Sequence, residues 1–196
     1  MTHPLRMVAW ELTRNCNLTC LHCRASASLG PYENELSTEE IVRVLDDIRA
    51  FASPTIILTG GEPLLRKDIF DIIDHGTAIG LRLVIAVNGT FLDRETARRL
   101  KEGGIGRVSM SLDSHDREGH DLFRGVEGSF AAVMNGAAIL NDTGLPFQIN
   151  TTVTQFNSDH LGAIYDRVRS LGAVAWHVFL LVPVGRGEGL KGKELS

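Results

Sequence analysis

Two textures alternate along this 196-residue chain, and no other feature limits its fold as tightly. Short β-branched or apolar runs recur at residues 7–13, 55–59, 82–87, 107–112, 147–153 and 175–182 and read as buried strands. Between them, apolar side chains return at helical period. Ile41, Val44, Leu45 and Ile48 share one helix face, as do Ile69, Phe70, Ile72 and Ile73. Phe130, Val133, Ala137 and Leu140 form a third stripe, and Leu161, Ile164, Tyr165 and Val168 a fourth. Residues 94–102 are short and polar and predict a peripheral helix. Ser37 with Glu40 spells a capping box. Asp68, Asp93 and Ser129 are expected N-caps, with Asn157 or Ser158 capping the last helix. Gly80, Gly103, Gly144 and Gly172 stand where helices should end in a left-handed residue. The order is strand–helix five times, then a sixth strand. Such alternation predicts an α/β fold with a parallel sheet and right-handed crossovers. The pattern alone leaves open a doubly wound sheet or an incomplete barrel.

Composition narrows the partners. With 43% apolar and 22% charged residues the chain fills one core and is not of the disordered type. A net charge of −4 gives no electrostatic case for nucleic acid. No apolar run approaches the roughly 20 residues of a membrane span. Arg6 is followed by only a short apolar stretch before Glu11, so no signal peptide is expected and the expected location is the cytoplasm. At the other end Glu194-Leu195-Ser196 repeats the Glu35-Leu36-Ser37 that opens the first helix. Ser196 therefore reads as the N-cap of a sixth helix that the chain does not contain.

The chemistry concentrates at the strand ends. Three cysteines cannot pair completely, and Cys16, Cys20 and Cys23 sit together in a loop directly after the first strand. In a reducing compartment such a cluster points to a metal. Zinc takes four ligands in a structural site, and His22 is the available fourth, although it stands between Cys20 and Cys23 with almost no chain to bring it round. A four-iron cluster held by three thiolates keeps one iron open for chemistry. Three buried, unligated cysteines are the plainest alternative. The second strand runs into Gly60-Gly61-Glu62-Pro63. Glycines there let backbone approach a ligand, and their carbonyls with Glu62 suit an ammonium group; a tight turn explains them equally well. Polar side chains at the later strand ends are Asn88, Ser111, Asp113 and Asn150, any of which can equally cap its own loop.

The Cys-x3-Cys-x2-Cys loop and the Gly-Gly-Glu turn, in that order at the ends of strands one and two, resemble the signature of the radical SAM superfamily. The resemblance implies a partial (β/α)6 TIM-like barrel with its sixth helix missing. Residues 1–196 would be the catalytic core, without the C-terminal auxiliary-cluster domain of the SPASM-type branch. It implies a [4Fe–4S] cluster on Cys16, Cys20 and Cys23, and S-adenosylmethionine held at Gly60, Gly61, Glu62 and Pro63. Asn88, Ser111, Asp113 and Asn150 would lie around its ribose, adenine or carboxylate. Arg124, in a His120-Asp121-Leu122-Phe123-Arg124-Gly125 stretch similar to that branch, would stand beside the cofactor, and His22 would line the nucleotide site. The implied activity is reductive cleavage of S-adenosylmethionine to methionine and a 5′-deoxyadenosyl radical that takes hydrogen from substrate.

Residues 8–14, 16–27, 147–153 and 176–187 look most like the heme-forming members. That resemblance implies a tetrapyrrole substrate, iron-coproporphyrin, whose propionates lose carbon dioxide oxidatively, and an electron donor such as ferredoxin or flavodoxin. His177, Arg186 and Arg24 then become candidates for the tetrapyrrole's iron or carboxylates. The alternatives are a peptide-modifying maturase of the same family and a non-catalytic zinc module. Only six residues precede strand one, which leaves no room for the N-terminal recognition domain common in the maturases.

Overall fold

The structure, a computed structural model, describes residues 5–195, so the expected cap Ser196 lies outside the described residues. Six strands form one sheet: β1 (Met7–Thr13), β2 (Thr55–Gly60), β3 (Arg82–Ala86), β4 (Val108–Ser111), β5 (Phe147–Val153) and β6 (Ala175–Leu180). They are all parallel and lie in the order β1-β2-β3-β4-β5-β6. That order decides between the two architectures. A doubly wound sheet reverses at a switch point and shuffles its strands, whereas sequential neighbours build a barrel wall. Here β1 and β6 are the two ends of the order, so the wall is a partial barrel.

The helices are α1 (Thr38–Phe51), α2 (Ile69–Ala78), α3 (Arg94–Glu102), α4 (Arg117–Arg124), α5 (Ser129–Thr143) and α6 (Leu161–Ser170). Alternation along the strands sends one set of side chains toward them. Ile56, Leu58, Leu83, Ile85, Phe147 and Ile149 from the sheet meet Ile41, Leu45, Ile72, Leu100, Leu140 and Ile164 from the helices in a single core. The other set lies on the open face of the sheet. Along β5, buried Phe147, Ile149, Thr151 and Val153 alternate with half-buried Gln148, Asn150 and Thr152. Among the described residues no helix is long and apolar enough to cross a membrane.

The capping box holds: the Ser37 hydroxyl accepts from the Glu40 amide, and Glu40 accepts from the Ser37 amide at 2.8 Å. Asp93 caps α3 through the Thr96 amide at 2.7 Å. Three expected caps differ. Asp68 precedes α2 but makes no cap bond, because its carboxylate is taken by Arg66 and Thr38. Ser129 is the first helical residue of α5 and the cap is left-handed Gly128; Asp121, one helix earlier, accepts from the Gly128 and Phe130 amides. Asn157 introduces a 3-10 turn, Ser158–His160, and binds loops instead of capping, so α6 begins after His160. Gly80, Gly144 and Gly172 are left-handed as expected, but Gly103 is right-handed and Gly104 makes the turn one residue later.

Helix α4 was not foreseen. Eight polar-rich residues carry no apolar period, yet both ends are marked: Asp116 accepts from the Gly119 amide at 2.8 Å, and Gly125 closes the helix at φ 72°. Beyond β6 the described chain makes a 3-10 turn, Gly185–Leu190.

Candidate active site

The cysteine loop leaves the sheet where the β1–β2 register slips, between Glu11 and Thr13. Its base is closed by the Cys16 amide donating to the Ser28 carbonyl at 3.1 Å. Three other elements then grip it. The Thr19 and Leu21 amides donate to the Arg124 and Phe123 carbonyls at the end of α4, at 3.2 and 2.9 Å. Asn17 donates to Thr90 at 3.0 Å and accepts from Asn88 at 2.8 Å, joining the loop to the end of β3. From beyond β6, the Arg186 amide donates to the Cys23 carbonyl at 3.0 Å, while its guanidinium donates to the carbonyls of Cys20 at 2.9 Å and Ala27 at 2.6 Å.

Held this way, Cys16, Cys20 and Cys23 line one cavity of about 200 Å³. Each sulfur receives an N–H group: Cys16 from the Leu18 amide at 3.4 Å, Cys23 from the Ala27 amide at 3.4 Å, and Cys20 from Arg124 Nη1 at 3.7 Å. Burial raises the Cys16 thiol above its ordinary pKa, with the Leu18 amide pulling it back. Donors placed on all three sulfurs suit thiolates that carry a metal cluster, and in that sense the residues fit one. Among the described residues no three His, Cys, Asp or Glu side chains converge tightly enough to hold one metal ion.

Gly60, Gly61, Asn88, His22 and Arg124 line the same cavity. Both glycines are required by close approach. Gly60 has φ 135°, and a Cβ there would strike the Thr13 carbonyl; a Cβ on Gly61 would strike the Asn15 carbonyl. Glu62 does not line the cavity. It is fully buried, accepting from the Leu64 amide at 3.0 Å and the Asn88 amide at 2.6 Å. Burial pushes its carboxyl up to about 7 while the two amides pull it down. Pro63, also buried, opens the 3-10 turn Pro63–Leu65. Glu62 and Pro63 thus brace the Gly60–Gly61 turn from beneath.

Behind the cavity lies a buried ion pair. Asp113 Oδ2 accepts from Arg124 Nε at 2.7 Å and Nη2 at 2.5 Å, and Asp113 Oδ1 accepts from the Thr152 amide at 2.8 Å. Burial raises the Asp113 carboxyl, but Arg124, the two nearby histidines and the Thr152 amide outweigh it and hold it below the usual range. His120 accepts the Asp113 amide on Nδ1, and burial first, then Arg124, lowers its pKa to about 4. The His22 ring stacks on Phe123 at 4.5 Å and 9°, and burial with Arg124 lowers it to about 4 as well.

Ser111 and Asn150 are register partners on β4 and β5 and do not line this cavity, nor do Glu62, Pro63 and Asp113. Arg24 pairs with Glu11 at 2.6 Å in an exposed contact, and the Arg186 guanidinium is spent on loop carbonyls. Asn17 and the clasping role of Arg186 were missed by sequence reasoning. The Gly185-Arg186-Gly187 run was the one available signal, since Gly185 (φ 58°) lets the chain pass against the Cys23 and Arg24 carbonyls.

The profile of the Radical SAM superfamily matches residues 10–168. The chain belongs to the radical SAM superfamily. Among named relatives of this radical SAM chain, an AdoMet-dependent heme synthase of Nitratidesulfovibrio vulgaris is 46% identical over 97% of the chain and 52% of that protein. An AdoMet-dependent heme synthase of Methanosarcina barkeri is 44% identical over 96% of the chain and 54% of that protein. The same organism's Fe-coproporphyrin III synthase is 40% identical, over 97% and 47%. The chain therefore spans about half the length of the relatives it matches. Among solved structures, anSMEcpe with bound AdoMet superposes with a TM-score of 0.76 at 22% identity, over 92% of this chain and 52% of that one. Streptococcus suis SuiB bound to S-adenosylmethionine gives 0.74 at 20%, over 89% and 40%. These two likenesses establish the shared fold.

Proposed function

We propose that this radical SAM chain is the catalytic core of an enzyme that cleaves S-adenosylmethionine at a [4Fe–4S] cluster for heme biosynthesis, removing carbon dioxide oxidatively from iron-coproporphyrin propionates. The observation that carries the reading is the convergence of Cys16, Cys20 and Cys23 on one cavity that Gly60 and Gly61 also line. When bound, the cluster supplies the electron that opens the sulfonium bond of S-adenosylmethionine.

The chain's own residues divide the remaining work. The three cysteines would hold the cluster, and with three protein ligands one iron would be left for the methionine end of the cofactor. Carbonyls of the Gly60–Gly61 turn receive its ammonium group, and Glu62 with Pro63 keeps that turn in place. Arg124, Asn88 and His22 line the cavity, where Arg124 and Asn88 would serve the carboxylate and ribose and His22 the nucleotide. Asp113 orients Arg124. Ser111 and Asn150, one strand farther along the open face, belong to the adenosyl or substrate side. The electron comes from a ferredoxin- or flavodoxin-type donor in the cytoplasm.

The tetrapyrrole is favoured over a peptide by the relatives' names. The heme synthases are 44–46% identical, against 29% for a PqqA peptide cyclase of Methylocella silvestris. The test is anaerobic incubation of the reconstituted protein with S-adenosylmethionine, reductant and iron-coproporphyrin. Deoxyadenosine together with carbon dioxide is the expected result. Deoxyadenosine without loss of carbon dioxide refutes the substrate; neither product refutes the activity.

A further inference from the structure

The open face of the sheet carries a polar ladder that the cofactor cavity does not use. Arg107, at the foot of β4, donates from Nη1 to Gln148 Oε1 at 3.2 Å. Gln148 Nε2 lies 3.1 Å from Asn150 Oδ1, 3.1 Å from His177 Nδ1 and 3.5 Å from Ser109 Oγ. His177 is exposed on β6, in register with Asn150.

One assignment of hydrogens follows from the Arg107–Gln148 contact and the two shorter contacts of Gln148 Nε2. A guanidinium only donates. Arg107 therefore fixes the Gln148 oxygen toward itself and turns the amide nitrogen toward β5 and β6. That nitrogen has two hydrogens, and the two shorter contacts take them: Asn150 Oδ1 and His177 Nδ1. A ring nitrogen that accepts carries no proton, so the neutral His177 ring must bear its hydrogen on Nε2. The remaining nitrogen of His177 is then a donor directed away from the ladder. Histidines that ligate a metal show the reverse arrangement: the second ring nitrogen donates to a carboxylate, carbonyl or water, which leaves the ligating nitrogen a free lone pair.

We infer that the Arg107–Gln148–His177 relay fixes His177 as an Nε2–H donor for a carboxylate of the substrate, and not as a ligand to a porphyrin iron. This rests on the tetrapyrrole reading, whose substrate offers both an iron and several propionates, and it says which of the two His177 takes. His177 is a substrate-binding residue in this account; Gln148 and Arg107 are positioning residues that act through it.

Two measurements test the inference separately from that reading. NMR of protein carrying isotope-labelled histidine reads the tautomer without substrate. His177 should be Nε2–H in the wild type, and Gln148→Glu, which replaces the donor by an acceptor, should move the proton to Nδ1 at about pH 9, where imidazole is neutral. The second measurement titrates metal-free coproporphyrin, its methyl ester and iron-coproporphyrin into wild type and His177→Ala. The substitution should weaken both free-acid porphyrins by about tenfold to a hundredfold, as for loss of a hydrogen bond to a charged group. It should leave the ester's affinity unchanged, and the iron complex should have the same absorption and EPR spectra in both proteins. An Nδ1–H proton in the wild type overturns the inference, and so does an imidazole-ligated iron spectrum that disappears in His177→Ala. Failure of every porphyrin to bind, with the Nε2–H tautomer in place, overturns the tetrapyrrole reading and leaves the donor assignment standing.

Discussion

Replacing Asp113 by Asn isolates the buried pair behind the cavity. Asp113 is 2% exposed and Arg124 9%, and one carboxylate oxygen accepts two guanidinium hydrogens. Asparagine keeps an acceptor for the Thr152 amide but removes the charge and turns an NH2 group toward the guanidinium. Arg124 is left as a buried, uncompensated cation. Breaking a buried pair from one side typically costs about 3–5 kcal/mol. For a domain of this size, at about 2–4 °C per kcal/mol, that is a fall in Tm of roughly 6–20 °C. Urea denaturation of wild type, Asp113→Asn, Arg124→Met and Asp113→Leu/Arg124→Met measures it. The double apolar variant should recover most of the loss, because it no longer buries a lone charge. The pH dependence carries its own sign. Asp113 has a depressed folded pKa, so its contribution is present at neutral pH and fades as pH falls below about 4. That fading should be absent from Asp113→Asn. A stability of Asp113→Asn within about 0.5 kcal/mol of wild type, the range of ordinary surface changes, would refute the reasoning.

Three further outcomes follow from the same geometry. Gly61→Ala forces a Cβ against the Asn15 carbonyl and should lose about 1–3 kcal/mol by overpacking, together with iron content; denaturation and an iron assay check it. Glu62 has a raised pKa of about 7 against 4.5, so its folded state binds the extra proton and stability should fall by up to about 3 kcal/mol as pH rises from 4.5 through 7. In Glu62→Gln that slope should flatten, as read by denaturation across pH. Arg186→Lys keeps the charge but loses the two-pronged hold on the Cys20 and Ala27 carbonyls; cluster retention under chelator should shorten several-fold while the melting temperature stays within a few degrees.

The sheet was legible because strand runs, capping box and glycine stops all report local preference, and local preference agrees with the fold. Strand order was not legible, since periodicity says nothing of neighbours. Asp68 and Ser129 look like caps, but the Asp68 carboxylate is committed to neighbouring Arg66 and to Thr38, 30 residues away, and the Ser129 hydroxyl to Asp121. Helix α4 hid because its apolar residues are few, although Asp116 and Gly125 marked its ends. In the site, the cysteines and glycines announced themselves by spacing. Their supports did not: Arg186 reaches back 166 residues to Cys20, and Asn17 reaches Thr90 across 73. Glu62 was read as an acceptor for a ligand, and its carboxylate also accepts from the amides of Leu64 and Asn88.

The metal content of anaerobically purified protein tests the core of the account most directly. It should be brown, with about four irons and about four sulfides on the three cysteines, and the EPR signal of its reduced cluster should change on adding S-adenosylmethionine. Cys20→Ala should lose the colour with an unchanged circular dichroism spectrum. A colourless protein holding one zinc and indifferent to S-adenosylmethionine would contradict it.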